Sequence, residues 1–205
     1  MLSKMSWCSF LVISFLMLLS PASLRADSGA TAQVKAVLDK AMEIQTRPEL
    51  DGTEHRKERS ALVRKLIAEN FAAGEMARES LGEHWGQLSA KQREVYQELF
   101  AGLFQDSYTR MVLNFLKRET VEYREESPEG KSVKVGTVIM RTNEHIPVDY
   151  VLEQKSQRWY IHDVIIDGVS IVENYRNTFS RVIRTQSFDT LIQKMRIQKK
   201  AGEDI

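Results

Sequence analysis

The sequence holds one cysteine, Cys8, near the start of an N-terminal apolar run. Read as a removable export signal, that run leaves a mature chain with no thiol. Disulfides, thiol catalysis and cysteine metal sites are then excluded. Cys8 precedes the apolar core, whereas a lipoprotein cysteine follows it. Histidines number four and are scattered at 55, 84, 145 and 162. No His-Glu-x-x-His motif and no calcium loop accompany them, so no metal site is expected. There is no Gly-rich phosphate loop and no internal repeat. Long apolar runs are missing too: "WCSFLVISFLMLL" (Trp7 to Leu19) is shorter than the about 20 residues a membrane span needs. Neither sign of charge dominates. Residues 1–26 take two of the 29 basic residues and none of the 28 acidic ones, leaving a net charge near −1. That balance gives no pull toward nucleic acid.

The N-terminus has the layout of a signal peptide. Lys4 supplies the positive start, Pro21 ends the apolar run, and small residues follow. Cleavage after Ala26 is expected, with residues 1–26 as the signal and 27–205 as one domain. Export places the mature chain in an oxidising compartment, the bacterial periplasm or the cell exterior.

The mature chain changes period twice. Val34, Val37, Leu38, Ala41 and Ile44 recur at helical spacing, as do Leu62, Val63, Leu66 and Ile67. "TRPELDG" separates these two helices. Ser89 and Gln92 form a capping box that opens the longest helix, running to about Lys117. Its apolar band, from Val95 to Leu116, is wider than packing on one flat surface requires. After Thr120 the period becomes 2. "VEYRE", "KSVKVGTVIMRT", "HIPVDYVLE" and "RWYIHDVII" read as a four-strand antiparallel meander. Pro147 predicts that its strand begins there or has an irregular edge. Two helices close the chain, one capped by Ser170 and one from about Phe188, ending in a polar tail. Helices, meander, helices is an α+β order.

The chemical motifs are weak. Ser170, His162 and Asp163 or Asp167 are the residue types of a hydrolytic triad, but Val172 stands where a nucleophile elbow needs glycine. Ser170 reads instead as a helix cap entered through a Gly168 turn. Carboxylate pairs such as Glu125 and Glu126 are ordinary in so charged a chain. What remains is an apolar surplus. A broadly apolar helix against a concave sheet leaves room for an apolar ligand.

At this point the stretch "FAAGEMARESLGEHWGQLSAKQREVYQELFAGLFQDSYTRMVLNFL" (Phe71 to Leu116) resembles the MlaC, or toluene-tolerance, family. Matching positions include Phe71, Met76, Arg78, Leu81, Gly82, Trp85, Arg93, Phe100 and Tyr108. A later run matches through Val135, Val148, Asp149, Tyr150, Trp159, Asp163, Gly168, Ser170, Asn174, Tyr175, Arg176 and Phe179. Asp167 stands where the family more often has Glu, and Val151 where a polar residue is usual. The resemblance implies a curved antiparallel sheet covered by several helices around a deep apolar pocket, similar to nuclear-transport-factor-2-like folds. It implies a periplasmic phospholipid carrier that is not an enzyme and uses no cofactor. The implied partners are an inner-membrane ABC transporter with an MCE-domain ring and an outer-membrane lipoprotein–porin complex. The implied role is maintenance of outer-membrane lipid asymmetry, with a monomer as the shuttling form. Apolar positions expected to line the pocket are Phe100, Phe104, Tyr108, Val135, Val148, Tyr150, Val164, Val169, Tyr175 and Phe179. Competing readings are a carrier of another apolar ligand (a hopanoid or a solvent-like molecule), an enzyme using His162 or Asp163 as base, and a non-catalytic envelope adaptor.

Overall fold

The structure is a computed structural model and describes residues 29–202. The expected signal peptide lies outside the described residues. Helix α1 (Ala30–Thr46) buries Val34, Val37, Leu38, Ala41 and Ile44, the stripe its spacing predicts. Its first turn is capped from a distance. The Glu126 carboxylate accepts from the Thr31 backbone N–H at 2.8 Å and from its hydroxyl at 2.9 Å, an anion at the positive end of a helix dipole. A 3-10 turn (Pro48–Leu50) leads into α2 (Arg56–Asn70), and α3 (Ala73–Leu81) follows closely. A second 3-10 segment, Gly82–Gln87, follows α3. Helix α4 (Ala90–Phe115) starts at the predicted capping box, with Ser89 and Gln92 satisfying each other's backbone N–H groups.

The meander follows as β1 (Thr120–Glu129), β2 (Ser132–Arg141), β3 (Glu144–Lys155) and β4 (Arg158–Ile166). A two-residue strand, β5 (Val169–Ser170), adds a fifth member, and every neighbouring pair is antiparallel. Asp167 (φ 49°) and Gly168 (φ 78°) make the tight β4–β5 turn, where a positive φ favours glycine. Register shifts between Tyr123 and Glu126 and between Val151 and Leu152 interrupt the pairing. Such bulges bend and twist the strands that carry them. Pro147 does not begin its strand; it lies inside β3, opposite Val138. Its carbonyl accepts from Asp167 N–H, beyond the last β3–β4 pair at Val148 and Ile166. The missing proline N–H thus points to the side where β4 has already ended.

Helices α5 (Ile171–Thr185) and α6 (Phe188–Gly202) complete the chain. The polar tail stays helical through Gly202, which is buried against Asp106 and Arg110. The architecture is α+β, as the period change predicts. Apolar packing divides in two. A helical core joins Met76, Leu81, Tyr96, Phe100, Phe104, Phe179, Leu191 and Met195 from α3, α4, α5 and α6. A second core lies between α1 and the inner face of the sheet, around Val34, Leu38, Val135, Leu152 and Ile161.

Candidate functional site

The inner face of the sheet is set by strand alternation. Thr137 pairs with Val148 and Ile139 with Ile146, while Val148 pairs with Ile166 and Tyr150 with Val164. Above these residues, α1, α2 and the second half of α4 do not close completely. The gap is a cavity of about 350 Å³, at the lower end of the about 300–1,000 Å³ common for small-molecule sites. Its floor is Ile139, Ile146, Val148, Tyr150, Val164 and Ile166. Its walls are Val37, Leu38 and Ala41 from α1, Val63, Leu66 and Ile67 from α2, and Tyr108, Met111, Val112, Phe115 and Leu116 at the end of α4. Phe71 closes the inner end. It follows α2 directly, bridges to Ile161 of β4, and stacks obliquely on Phe104 at 5.3 Å.

One end of the cavity faces solvent. Met111 is 37% exposed and Phe115 is 56% exposed, unusual for large apolar side chains. Both line this cavity, beside Arg141 and Glu144, its only charged members among the described residues. Arg141 is fixed at the mouth. Its guanidinium donates to the Phe115 carbonyl at 3.1 Å, lies over the Phe115 ring, and pairs with Glu119 at 3.6 Å and Glu144 at 3.7 Å. Two phenols face the interior. Burial pushes the Tyr108 hydroxyl well above the usual tyrosine range, with Tyr175, Asp163 and Tyr150 adding to it. Burial does the same to Tyr150. Both stay neutral at any physiological pH, so the interior carries no charge.

Of the ten positions expected to line a pocket, Tyr108, Val148, Tyr150 and Val164 do so. Val135 shares their sheet face, opposite Tyr150, but is packed into the core beneath α1. Phe104 stacks on Tyr108 at 4.2 Å and stands behind the lining. Phe100, Tyr175 and Phe179 are in the helical core, with Phe100 5.3 Å from Tyr175 and Tyr175 5.2 Å from Phe179. Val169 is 59% exposed on β5, away from the cavity. Helices α1 and α2 contribute a wall of Val37, Leu38, Ala41, Val63, Leu66 and Ile67 that is not among the ten expected positions, although their apolar stripes are plain in the sequence.

The triad candidates do not converge on the cavity. Ser170 accepts from Glu173 N–H at 3.1 Å and donates to Asp163 at 2.5 Å, so it caps α5. The second Asp163 oxygen accepts from Val164 and Val172 N–H. His162 lies elsewhere, with Nε2 3.1 Å from the Ser132 hydroxyl and Glu79 and Glu153 at 3.8 and 3.9 Å. Arg176 donates to the Glu79 carbonyl at 2.9 Å, tying α5 to the end of α3. Among the described residues, no group of three His, Cys, Asp or Glu side chains could hold a metal. No helix there is long and apolar enough to cross a membrane.

The architecture is an antiparallel sheet roofed by helices over an apolar cavity that reaches solvent beside Met111 and Phe115. The family match is narrower. The model of the MlaC protein family matches residues 35–197, and the chain belongs to that family. A relative from Haemophilus influenzae, "Intermembrane phospholipid transport system binding protein MlaC", is 26% identical over 130 residues, 61% of this chain and 60% of its own length. The Pseudomonas putida "Toluene tolerance protein ttg2D" is 25% identical over 95 residues, 42% of this chain and 44% of its own. The chain thus spans less than two thirds of either relative. A phospholipid-binding protein from Ralstonia solanacearum, solved in complex with a phospholipid, shares the fold. Its TM-score is 0.71 at 23% identity, over 85% of this chain and 98% of that one.

Proposed function

We propose that this chain is a phospholipid carrier of the periplasm. The observation that carries the reading is the cavity with an apolar interior, reaching solvent beside Met111 and Phe115 and with its charged residues, Arg141 and Glu144, at that mouth. Family membership, the relatives named for phospholipid transport and the phospholipid-complexed structure of the same fold support it. An acyl chain of about 15 methylenes, at ~0.8 kcal/mol each, costs roughly 12 kcal/mol to hold in water. A lipid therefore crosses an aqueous gap very slowly alone. A wall of aliphatic and aromatic side chains replaces that water and makes transfer nearly neutral in energy. No bond is made or broken, so the role needs no base, nucleophile or cofactor.

In this reading a monomer exported by residues 1–26 shuttles lipid between two membrane assemblies. One is an outer-membrane lipoprotein–porin complex and the other an inner-membrane ABC transporter with an MCE-domain ring. The result is preserved lipid asymmetry in the outer membrane. The test is mass spectrometry of an organic-solvent extract of the purified protein. Near-stoichiometric phospholipid is expected. Tyr108→Asp and Tyr150→Asp place a carboxyl in the cavity wall and are expected to lose that lipid while staying folded. A hopanoid or solvent-like molecule in the extract would move the reading to another apolar ligand. An extract with no ligand would favour an envelope adaptor.

A further inference from the structure

Outside the cavity mouth lies an open groove of about 980 Å³. Its walls are the Pro48–Asp51 turn, the start of α2, the α4–β1 connection and the end of β2. Five cations line it, Arg56, Arg59, Lys117, Arg118 and Arg141, against two carboxylates, Asp51 and Glu119. Two of the cations are already engaged. Arg59 donates to the Leu50 and Gly52 carbonyls. Arg141 holds the Phe115 carbonyl, Glu119 and Glu144. Arg56, Lys117 and Arg118 make no side-chain ion pair or hydrogen bond among the described residues.

Groove and cavity share a border. Arg141 lines both. On α4, Val112 lines the cavity and Leu113 the groove; on β2, Ile139 lines the cavity and Met140 the groove. An amphiphile whose tails fill the cavity and whose polar end leaves beside Arg141 meets this groove. In a phospholipid the first charged group beyond the glycerol is a phosphodiester. Guanidinium groups match its paired oxygens, and a lysine adds a point charge. A headgroup that also carries a quaternary ammonium would push that cation against Arg56, Lys117 and Arg118. A net anionic headgroup would not.

We infer that the Arg56–Lys117–Arg118 groove is a headgroup subsite that selects phospholipids of net negative charge. The inference rests on the carrier reading above. These side chains are exposed, so solvent and salt moderate the effect. A preference of roughly three-fold or more at low salt is the expected size.

The test uses the protein stripped of lipid and incubated with vesicles of equal phosphatidylglycerol and phosphatidylcholine. The protein is then repurified, and both lipids in its extract are counted. Because one vesicle holds both lipids, attraction of the protein to an anionic surface does not bias the count. The unaltered protein should carry an excess of phosphatidylglycerol that shrinks as salt rises. The triple variant Arg56→Gln, Lys117→Gln, Arg118→Gln should carry the two lipids in equal amounts. Equal uptake by the unaltered protein, a preference indifferent to salt, or a preference kept by the triple variant would each overturn the inference. Uptake of neither lipid is a separate result, and it would remove the carrier reading itself.

Discussion

Ser170 shows how one residue takes its meaning from its neighbours. Its oxygen accepts from Glu173 N–H and its hydroxyl is held by Asp163, which also accepts two backbone N–H groups. Ser170→Ala removes a helix cap and leaves Asp163 short of one donor. The expected loss is about 1 kcal/mol, within the about 0.5–2 kcal/mol usual for caps. Urea denaturation measures it, and bound lipid per protein should not change. The cap was legible from sequence because capping is local: Ser170, Glu173 and the Gly168 turn lie within a few residues. The cavity lining was not, because it depends on which helices leave space above the sheet. Tyr108 and Phe100 occupy the same helix and look alike as sequence. Only tertiary packing puts the first on the lining and the second in the helical core.

Helix α4 accounts for that difference. Its band looks too wide for one surface because the helix changes neighbours partway along. The first half, with Tyr96, Phe100 and Phe104, packs on α3, α5 and α6. The second half, with Tyr108, Val112 and Leu116, faces α1 and the sheet. At its far end Gln45 of α1 donates to the Val112 and Leu116 carbonyls, at 2.8 and 3.1 Å, and ties the two walls together. Helix, strand and turn positions followed from period and capping, whereas β5 is too short to announce itself.

Another junction between elements is sensitive to pH. His162 on β4 faces Glu79 of α3, with Glu153 of β3 and Asp163 of its own strand close by. Burial alone would lower the imidazole pKa, but the carboxylates, Glu79 foremost, outweigh it and raise it above 6.5. The His162 imidazole, 3.8 Å away, holds Glu79 below 4.5 against burial, with Arg78 and Arg176 adding to the effect. The raised histidine stabilises the fold fully below pH 6.5, and that gain is lost as pH rises through its folded value. The lowered Glu79 stabilises it above pH 4.5, and that gain is lost as pH falls through its own folded value. The contact is therefore strongest between the two. His162→Gln should be less stable than the unaltered protein near pH 5.5, and the gap should narrow markedly by about pH 9. Denaturation curves at both pH values check this.

At the scale of the whole molecule, the two cores divide the labour. The helical core of α3 to α6 supplies packed, ligand-independent stability. The sheet, α1, α2 and the end of α4 keep a space that the side chains do not fill. In the carrier reading, lipid crosses water inside that space. Ala41 on α1 faces it and is 3% exposed, so Ala41→Trp puts an indole where an acyl chain would lie. The decisive measurement is the rate at which labelled phospholipid moves between two vesicle populations. The unaltered protein should raise that rate well above the spontaneous one. Ala41→Trp, shown by circular dichroism to be folded, should leave it at the spontaneous rate. Transfer by Ala41→Trp at the unaltered rate, or none by the unaltered protein, would contradict the account.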